Sequence, residues 1–197
     1  LPRTMTKQQV SAEEQMKTPE IQADVYGMRV RARQNAAQGA VTSRYSAHLT
    51  TVLKRLNDAL ATELVGVLRY RRHHFTARGV FSPAVAAEFL VHSNEGLAHA
   101  DHLAARMVQL GGEPDFSPDN LVRRSQAEYV EGATLAEMIT ENLVAERIAI
   151  DSHRDFIQYI GDQDPGTRRL LESILAAEEA HAGALAALLK DGCAPGA

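Results

Sequence analysis

Glu178 and His181 stand three residues apart on what reads as the buried stripe of a helix: Leu171, Ile174, Glu178, His181, Leu185 and Leu188 step by three and four. Leucine and isoleucine belong on such a stripe. A carboxylate and an imidazole do not, because an ion buried without a partner costs several kcal/mol. A metal ion would make both welcome, since the two side chains share one helix face and offer one oxygen and one nitrogen. E-x-x-H alone is common in helices, so the reading depends on whether other buried stripes also carry acid.

They do. Leu49, Leu53, Leu56, Leu60, Glu63, Val67, Tyr70 and His74 alternate steps of four and three, with Glu63 among the leucines. A second stripe is Val85, Phe89, His92, Gly96, His99, Leu103, Arg106 and Leu110, with Glu95 beside it. A third is Ile139, Asn142, Glu146, Ala149, His153, Phe156 and Ile160. A single Glu from each of two helices, plus Glu and His from each of the other two, is the ligand pattern of di-metal carboxylate bundles. The candidate ligands are Glu63, Glu95, His99, Glu146, Glu178 and His181. Four carboxylates balance two divalent ions, whereas four acids without metal would raise one another's pKa. Oxygen donors with imidazole suit iron, manganese or zinc, and open positions admit dioxygen or peroxide. Tyr70, seven residues after Glu63, bonds a ligand carboxylate, quenches a radical, or fills core. His92 and His153 fall on the stripes as accessory ligands or as satisfied core histidines. Arg71-Arg72-His73-His74 reads as a solvated helix end.

These residues need long helices to hold them. The first is expected over about 46–75. The second is expected to open at Ser82-Pro83, with Ser as N-cap and Pro in the first turn, and to end at Gly111-Gly112. Thr134-x-x-Glu137 is a capping box that opens the third, which Gly161 ends. Asp164-Pro165 opens the fourth, which runs to about Lys190. Short loops join the first pair and the second pair, so each pair is an antiparallel hairpin. The middle connection, 113–133, is long enough to cross the whole bundle. The fold class is therefore all-α, a four-helix bundle with one long crossover.

The 197 residues suffice for one sizeable core, and the sequence is rich in Ala and Leu with only 5% aromatic residues. Residues 1–45 differ: seven basic and four acidic side chains give them +3 against −4 for the whole. They read as an extension, disordered or draped on a neighbour, with a short helix around 20–35; residues 191–197 read as a tail. No run of 18 apolar residues predicts a membrane span. A lone cysteine, Cys193, and the lack of an apolar signal core point to a cytoplasmic protein.

Over about 46–190 the sequence resembles bacterioferritins and the related Dps-like ferritins, both ferritin-like proteins. The likeness rests on Leu56-Asn57-Asp58-Ala59-Leu60-Ala61-Thr62-Glu63-Leu64 with Tyr70, on His99-Ala100-Asp101-His102, on Asn142-Leu143-Val144-Ala145-Glu146, and on Glu178-Glu179-Ala180-His181. It implies a ferroxidase that binds Fe(II) in pairs, oxidises it with O₂ or H₂O₂, and passes it to a mineral core inside a homo-oligomeric shell. On that likeness Glu63 and Glu146 are terminal ligands, Glu178 bridges the two ions, and His99 and His181 each bind one.

Two positions depart from the family. The second-helix acid is expected three residues before His99, where this sequence has Gly96; Glu95 stands four before and is expected to reach the metals in its place. The axial Met of haem-binding members would stand at Leu97, so no haem is expected. The sequence ends after its fourth helix, which favours 12 subunits, with 24 the alternative. A DNA-protecting Dps-type shell protein and a di-metal carboxylate oxygenase are the competing readings. DNA binding is not expected, because each extension is weakly charged.

Overall fold

The computed structural model describes residues 24–79 and 82–190. They form six α-helices: α1 (Val25–Gln34), α2 (Leu49–Thr76), α3 (Ser82–Gln109), α4 (Leu121–Arg124), α5 (Leu135–Ile160) and α6 (Pro165–Lys190). There is no strand among the described residues, and no helix there is long and apolar enough to cross a membrane. The chain divides into two compact units, with the break after Ala36. In the first unit α1 is capped by Asp24, whose carboxylate accepts from the Gly27 amide at 2.8 Å. Residues 1–23 and the tail 191–197 lie outside the described residues.

The second unit holds the four long helices, of 28, 28, 26 and 26 residues. Each is about 40 Å long at the α-helical rise. α2 packs on α3 and α5 on α6, and the two hairpins meet through α2–α5 and α3–α6. Packing reaches back to Val41 and Tyr45, ahead of the expected boundary at residue 46, because both side chains lie against the core. The α5 capping box is formed: the Glu137 amide donates to Thr134 Oγ1 and the Thr134 amide to Glu137 Oε2, both at 3.2 Å. Gly161, with φ of 50°, ends α5 in the left-handed region that a Cβ disfavours. Ser82 lies inside α3 rather than capping it, and its hydroxyl donates to the Gly79 carbonyl at 2.7 Å.

The crossover between α3 and α5 contains α4, which the mixed composition of 113–133 did not announce. It runs alongside α2, pinned by polar side chains. Asn57 takes the Asp115 amide at 2.7 Å and donates to the Glu113 carbonyl at 3.2 Å. Farther up, Thr62 Oγ1 accepts from the Gln126 amide at 3.0 Å. Arg69 then donates to the Glu128 carbonyl and His73 Nε2 to the Glu131 carbonyl, each at 2.9 Å. From Asn57 to His73 the crossover follows roughly 24 Å of α2.

Two apolar plugs make most of the core, and a smaller cluster of Ala61, Val65 and Leu121 joins α4 to α2. One plug joins Leu56, Leu60, Leu103, Met107, Phe156 and Leu171; the other joins Tyr70, Phe89, Met138, Ile139 and Leu185. Along the long helices Glu63, His99, Glu146, Glu178 and His181 fall between the two.

At the lower end Asp164 ties three elements together. It caps α6 through the Thr167 amide (2.9 Å), accepts from Arg106 Nη2 on α3 (2.7 Å) and from the Tyr45 hydroxyl (3.1 Å). Burial opposes ionising Asp164, but the bonds from Thr167 and the charge of Arg106 hold its pKa below the usual value. A depressed carboxylate stabilises the fold above its unfolded pKa, about 3.9, and that contribution disappears as pH falls through the folded value. Asp164→Ala is expected to cost about 2–4 kcal/mol at pH 7, from a lost cap and an unpaired Arg106. Denaturation at pH 7 and below pH ~4 checks this: the gap to wild type should be unchanged from pH 7 to 5 and narrow only in acid.

Candidate metal centre

Between the plugs, α2 contributes Glu63 and Tyr70, α3 His92 and His99, α5 Glu146, and α6 Glu178 and His181. Each lands there because it occupies a three-, four- or seven-residue step of a stripe that is otherwise apolar. Glu63, Glu146, Glu178 and His181 are 4–7% exposed, and His92 3%. Among the described residues they make two groups of three donors, Glu63–His99–Glu178 and His92–Glu146–His181, with the donor atoms of each group within 4.8 Å of one another.

Glu178 lies between the groups and turns one oxygen to each. Its Oε1 is 3.0 Å from His99 Nδ1 and its Oε2 3.5 Å from His181 Nδ1. His99 Nδ1 is also 3.6 Å from Glu63 Oε2, and His181 Nδ1 is 4.0 Å from Glu146 Oε2. The Tyr70 hydroxyl donates to Glu146 Oε1, and His92 Nδ1 lies 3.2 Å from the Tyr70 oxygen. A cavity of about 30 Å³ opens among these side chains. That is room for about two water-sized spheres.

Protons hold the cluster together electrostatically. Burial, and then the charge of Glu178, push Glu63 above its ordinary pKa, against the pull of His99. Burial and the bond to Glu178 push Glu146 well above, opposed by Tyr70. Burial also works against ionising Glu178, but bonds from Glu146, His181 and His99 hold it far below the usual carboxylate range. Against its own burial, His99 is pushed up to about 10 by Glu178 and Glu63, and His181 is raised by Glu178 and Glu95. Cations would do the same work without protons. Glu63 Oε1 has no hydrogen-bond partner among the described residues although it is buried, which is costly for a carboxylate oxygen unless a ligand takes it. Oxygen and imidazole donors, an orphaned carboxylate oxygen and a two-sphere cavity fit a pair of divalent ions.

Of the residues singled out from the sequence, Glu63, His99, Glu146, Glu178 and His181 come together, with Tyr70 against Glu146. Glu95 belongs to neither group. It is half-exposed, with Oε2 2.6 Å from His181 Nε2, on the side of the ring away from Glu146 and Glu178. Four-residue spacing from His99 takes it to the rim of α3 rather than inward. His92 does enter a group. His153 donates from Nδ1 to the Ala149 carbonyl at 2.8 Å, and its Nε2 is buried without a partner among the described residues.

The helix end read as solvated is in part buried. His73 is 0% exposed; its Nδ1 accepts from Asn142 Nδ2 at 2.9 Å, while Asn142 Oδ1 accepts from Arg69 Nε at 2.9 Å. Burial pushes the pKa of His73 down, which suits a neutral ring that donates at one nitrogen and accepts at the other. Arg69, 2% exposed, was not singled out from the sequence. The available signal was Asn142: a buried amide on the α5 stripe must find partners on a facing helix.

The fold agrees with the comparisons to known proteins. The profile of the ferritin-like domain matches residues 53–192, and the chain belongs to that family. It is 27% identical to a bacterioferritin of Desulfovibrio desulfuricans over 131 residues, 66% of this chain and 69% of that protein. It is 29% identical to a nutrient stress-induced DNA-binding protein of Synechococcus over 136 residues, 66% and 76% of the two chains. Among solved structures, the fold is shared with the bacterioferritin-related protein of Bacteroides fragilis, described as a dodecameric thioferritin: TM-score 0.71, 22% identity, 83% of this chain and 94% of that one. Dps from Thermosynechococcus elongatus gives a TM-score of 0.69 at 23% identity, covering 71% and 90%.

Proposed function

We propose that this chain is a ferroxidase of the ferritin-like family, which takes up Fe(II) as substrate in pairs, oxidises it, and stores or detoxifies the product inside a homo-oligomeric shell. The observation that carries the reading is the two three-donor groups side by side between apolar plugs, with Glu178 of the first turning its other oxygen toward His181 of the second. Each Fe(II) gives up one electron, so a pair supplies the two electrons that reduce O₂ to peroxide or peroxide to water. Three protein donors per position leave coordination open for the oxidant. Glu63 and Glu146 act as terminal ligands, Glu178 as the bridge, and His99 and His181 as one imidazole for each ion. Tyr70 fixes Glu146 by its hydrogen bond. No haem belongs to this reading, since Leu97 offers no sulfur at the position of the family's axial Met.

The dodecameric relative supports a shell of 12 subunits, with 24 the alternative. One observation favours the DNA-protecting reading beside it: Arg29, Arg31 and Arg33 lie along α1, in a chain similar to a DNA-binding relative. A net charge of only +3 on residues 1–45 argues for weak, salt-sensitive contact at most. Native mass together with iron content tests the storage role. An assembly near twelve times the 21.5 kDa chain, retaining after aerobic loading far more iron than its binding sites can hold, is the expected result. A monomer or dimer that retains only site-bound iron would favour a small-molecule oxygenase instead.

A further inference from the structure

Position 96 faces the centre but brings no donor. A Cβ built on Gly96 would lie 3.5 Å from Glu63 Oε2 and 3.4 Å from Val67 Cγ2, ordinary contacts, so the backbone aims this position at the acids and glycine leaves it empty. One turn earlier on the same face of α3 stands His92, 3% exposed, whose ring nitrogen shares a group with Glu146 and His181.

The two imidazoles of that group are held alike. His181 Nε2 lies 2.6 Å from Glu95 Oε2, and His92 Nε2 3.2 Å from Glu88 Oε1. Glu88 and Glu95 are seven apart on α3, hence on one face, and both are partly exposed at the rim. In each ring the outer nitrogen donates to a carboxylate and Nδ1 is left facing inward. His181 Nδ1 faces Glu146 and Glu178, and His92 Nδ1 faces Tyr70, whose hydroxyl holds Glu146. The rings stack at 4.0 Å and 22°. A carboxylate on the far nitrogen is the usual way a ligating histidine is fixed in orientation and tautomer.

We propose that His92 is a metal ligand of this chain, completing a two-histidine, one-carboxylate position with His181 and Glu146 beside the oxygen-rich position of Glu63, His99 and Glu178, and that Glu88 and Glu95 position the two imidazoles rather than bind metal. This rests on the reading that the buried cluster binds divalent ions. It resolves the departure at Gly96: the donor that the glycine omits is supplied one turn away, as nitrogen instead of oxygen. The two positions are therefore unequal. The imidazole-rich one suits Zn(II), Co(II) and Fe(II) and fills first with ions late in the first-row affinity order.

The test is Co(II) titration of the full-length, metal-stripped protein, followed by calorimetry for the count and by visible absorption for the ligand type. Wild type is expected to take two ions per chain in two separable steps. His92→Leu is expected to take one, with the first, nitrogen-rich spectrum lost. Glu88→Gln, on a partly exposed side chain that leaves the core intact, is expected to keep two ions and weaken the first step by about 10-fold. Two ions in His92→Leu with the wild-type spectrum overturn the assignment. Should His92→Leu fail to fold, unchanged affinities in Glu88→Gln overturn it. Failure of wild type itself to bind Co(II) in the cluster overturns instead the metal-centre reading on which the proposal stands.

Discussion

Glu178→Ala is expected to abolish rapid Fe(II) oxidation, lowering the initial rate by at least about 100-fold and removing both ions rather than one. Losing a single orienting residue outside the ligands typically costs about 10- to 100-fold, and Glu178 is more than that. Its two oxygens face His99 at 3.0 Å and His181 at 3.5 Å, so as the proposed bridge it gives one donor to each ion. Stopped-flow oxidation with equilibrium metal counting measures the effect. Folding is controlled independently. A tightly bound ion stabilises the native state by about 2.7 kcal/mol at a hundredfold excess over its Kd. Wild type should therefore gain thermal stability on adding Zn(II), whereas a folded Glu178→Ala should not. Wild-type kinetics in this variant would show that the chemistry is elsewhere.

The second large effect is structural. Phe89 is fully buried in the plug above the centre, with its ring 5.9 Å from that of Tyr70 and 5.7 Å from that of His73. Phe89→Ala is expected to cost about 3–5 kcal/mol, combining the lost transfer energy with the cavity left behind. Against a typical total of about 5–15 kcal/mol this is severe. Phe89→Leu, which keeps most of the volume, should cost less than about 1.5 kcal/mol. Denaturant midpoints of the metal-free protein, at one fixed concentration, check both. A loss under 1 kcal/mol in Phe89→Ala would mean that the helices close over the void, and the plug would not be the rigid wall that holds Tyr70 against Glu146.

Periodicity made the four long helices legible, because each carries one long, mostly apolar stripe at three- and four-residue steps with punctuation at its ends. The capping box at Thr134 and the break at Gly161 follow from local chemistry alone, and the structure places them there. The acids were conspicuous for the opposite reason: Glu63, Glu146 and Glu178 violate the stripe. Spacing could not tell whether Glu95 turns inward, since four residues on a helix leave a side chain about 40° off its partner's direction, and the neighbouring helices decide which way it leans. The crossover was harder still. Its path depends on Asn57, Thr62, Arg69 and His73 bonding to loop amides and carbonyls some 50 to 70 residues away, and nothing local marks such partners. His73 and Arg69 were missed in that way: beside Arg71 and Arg72 they look like a charged helix end, yet the crossover buries them.

The most direct test of the central claim is the stoichiometry of the first oxidation event in the wild-type protein. Fe(II) is added aerobically in small increments to the metal-free protein, and the amplitude of the fast phase is read against iron per chain. Two positions sharing Glu178 predict a fast phase that saturates at two Fe(II) per chain, with slower oxidation beyond it. Oxidation no faster than in buffer, or a fast phase that saturates at one iron per chain, would contradict a paired-iron centre built by the four helices.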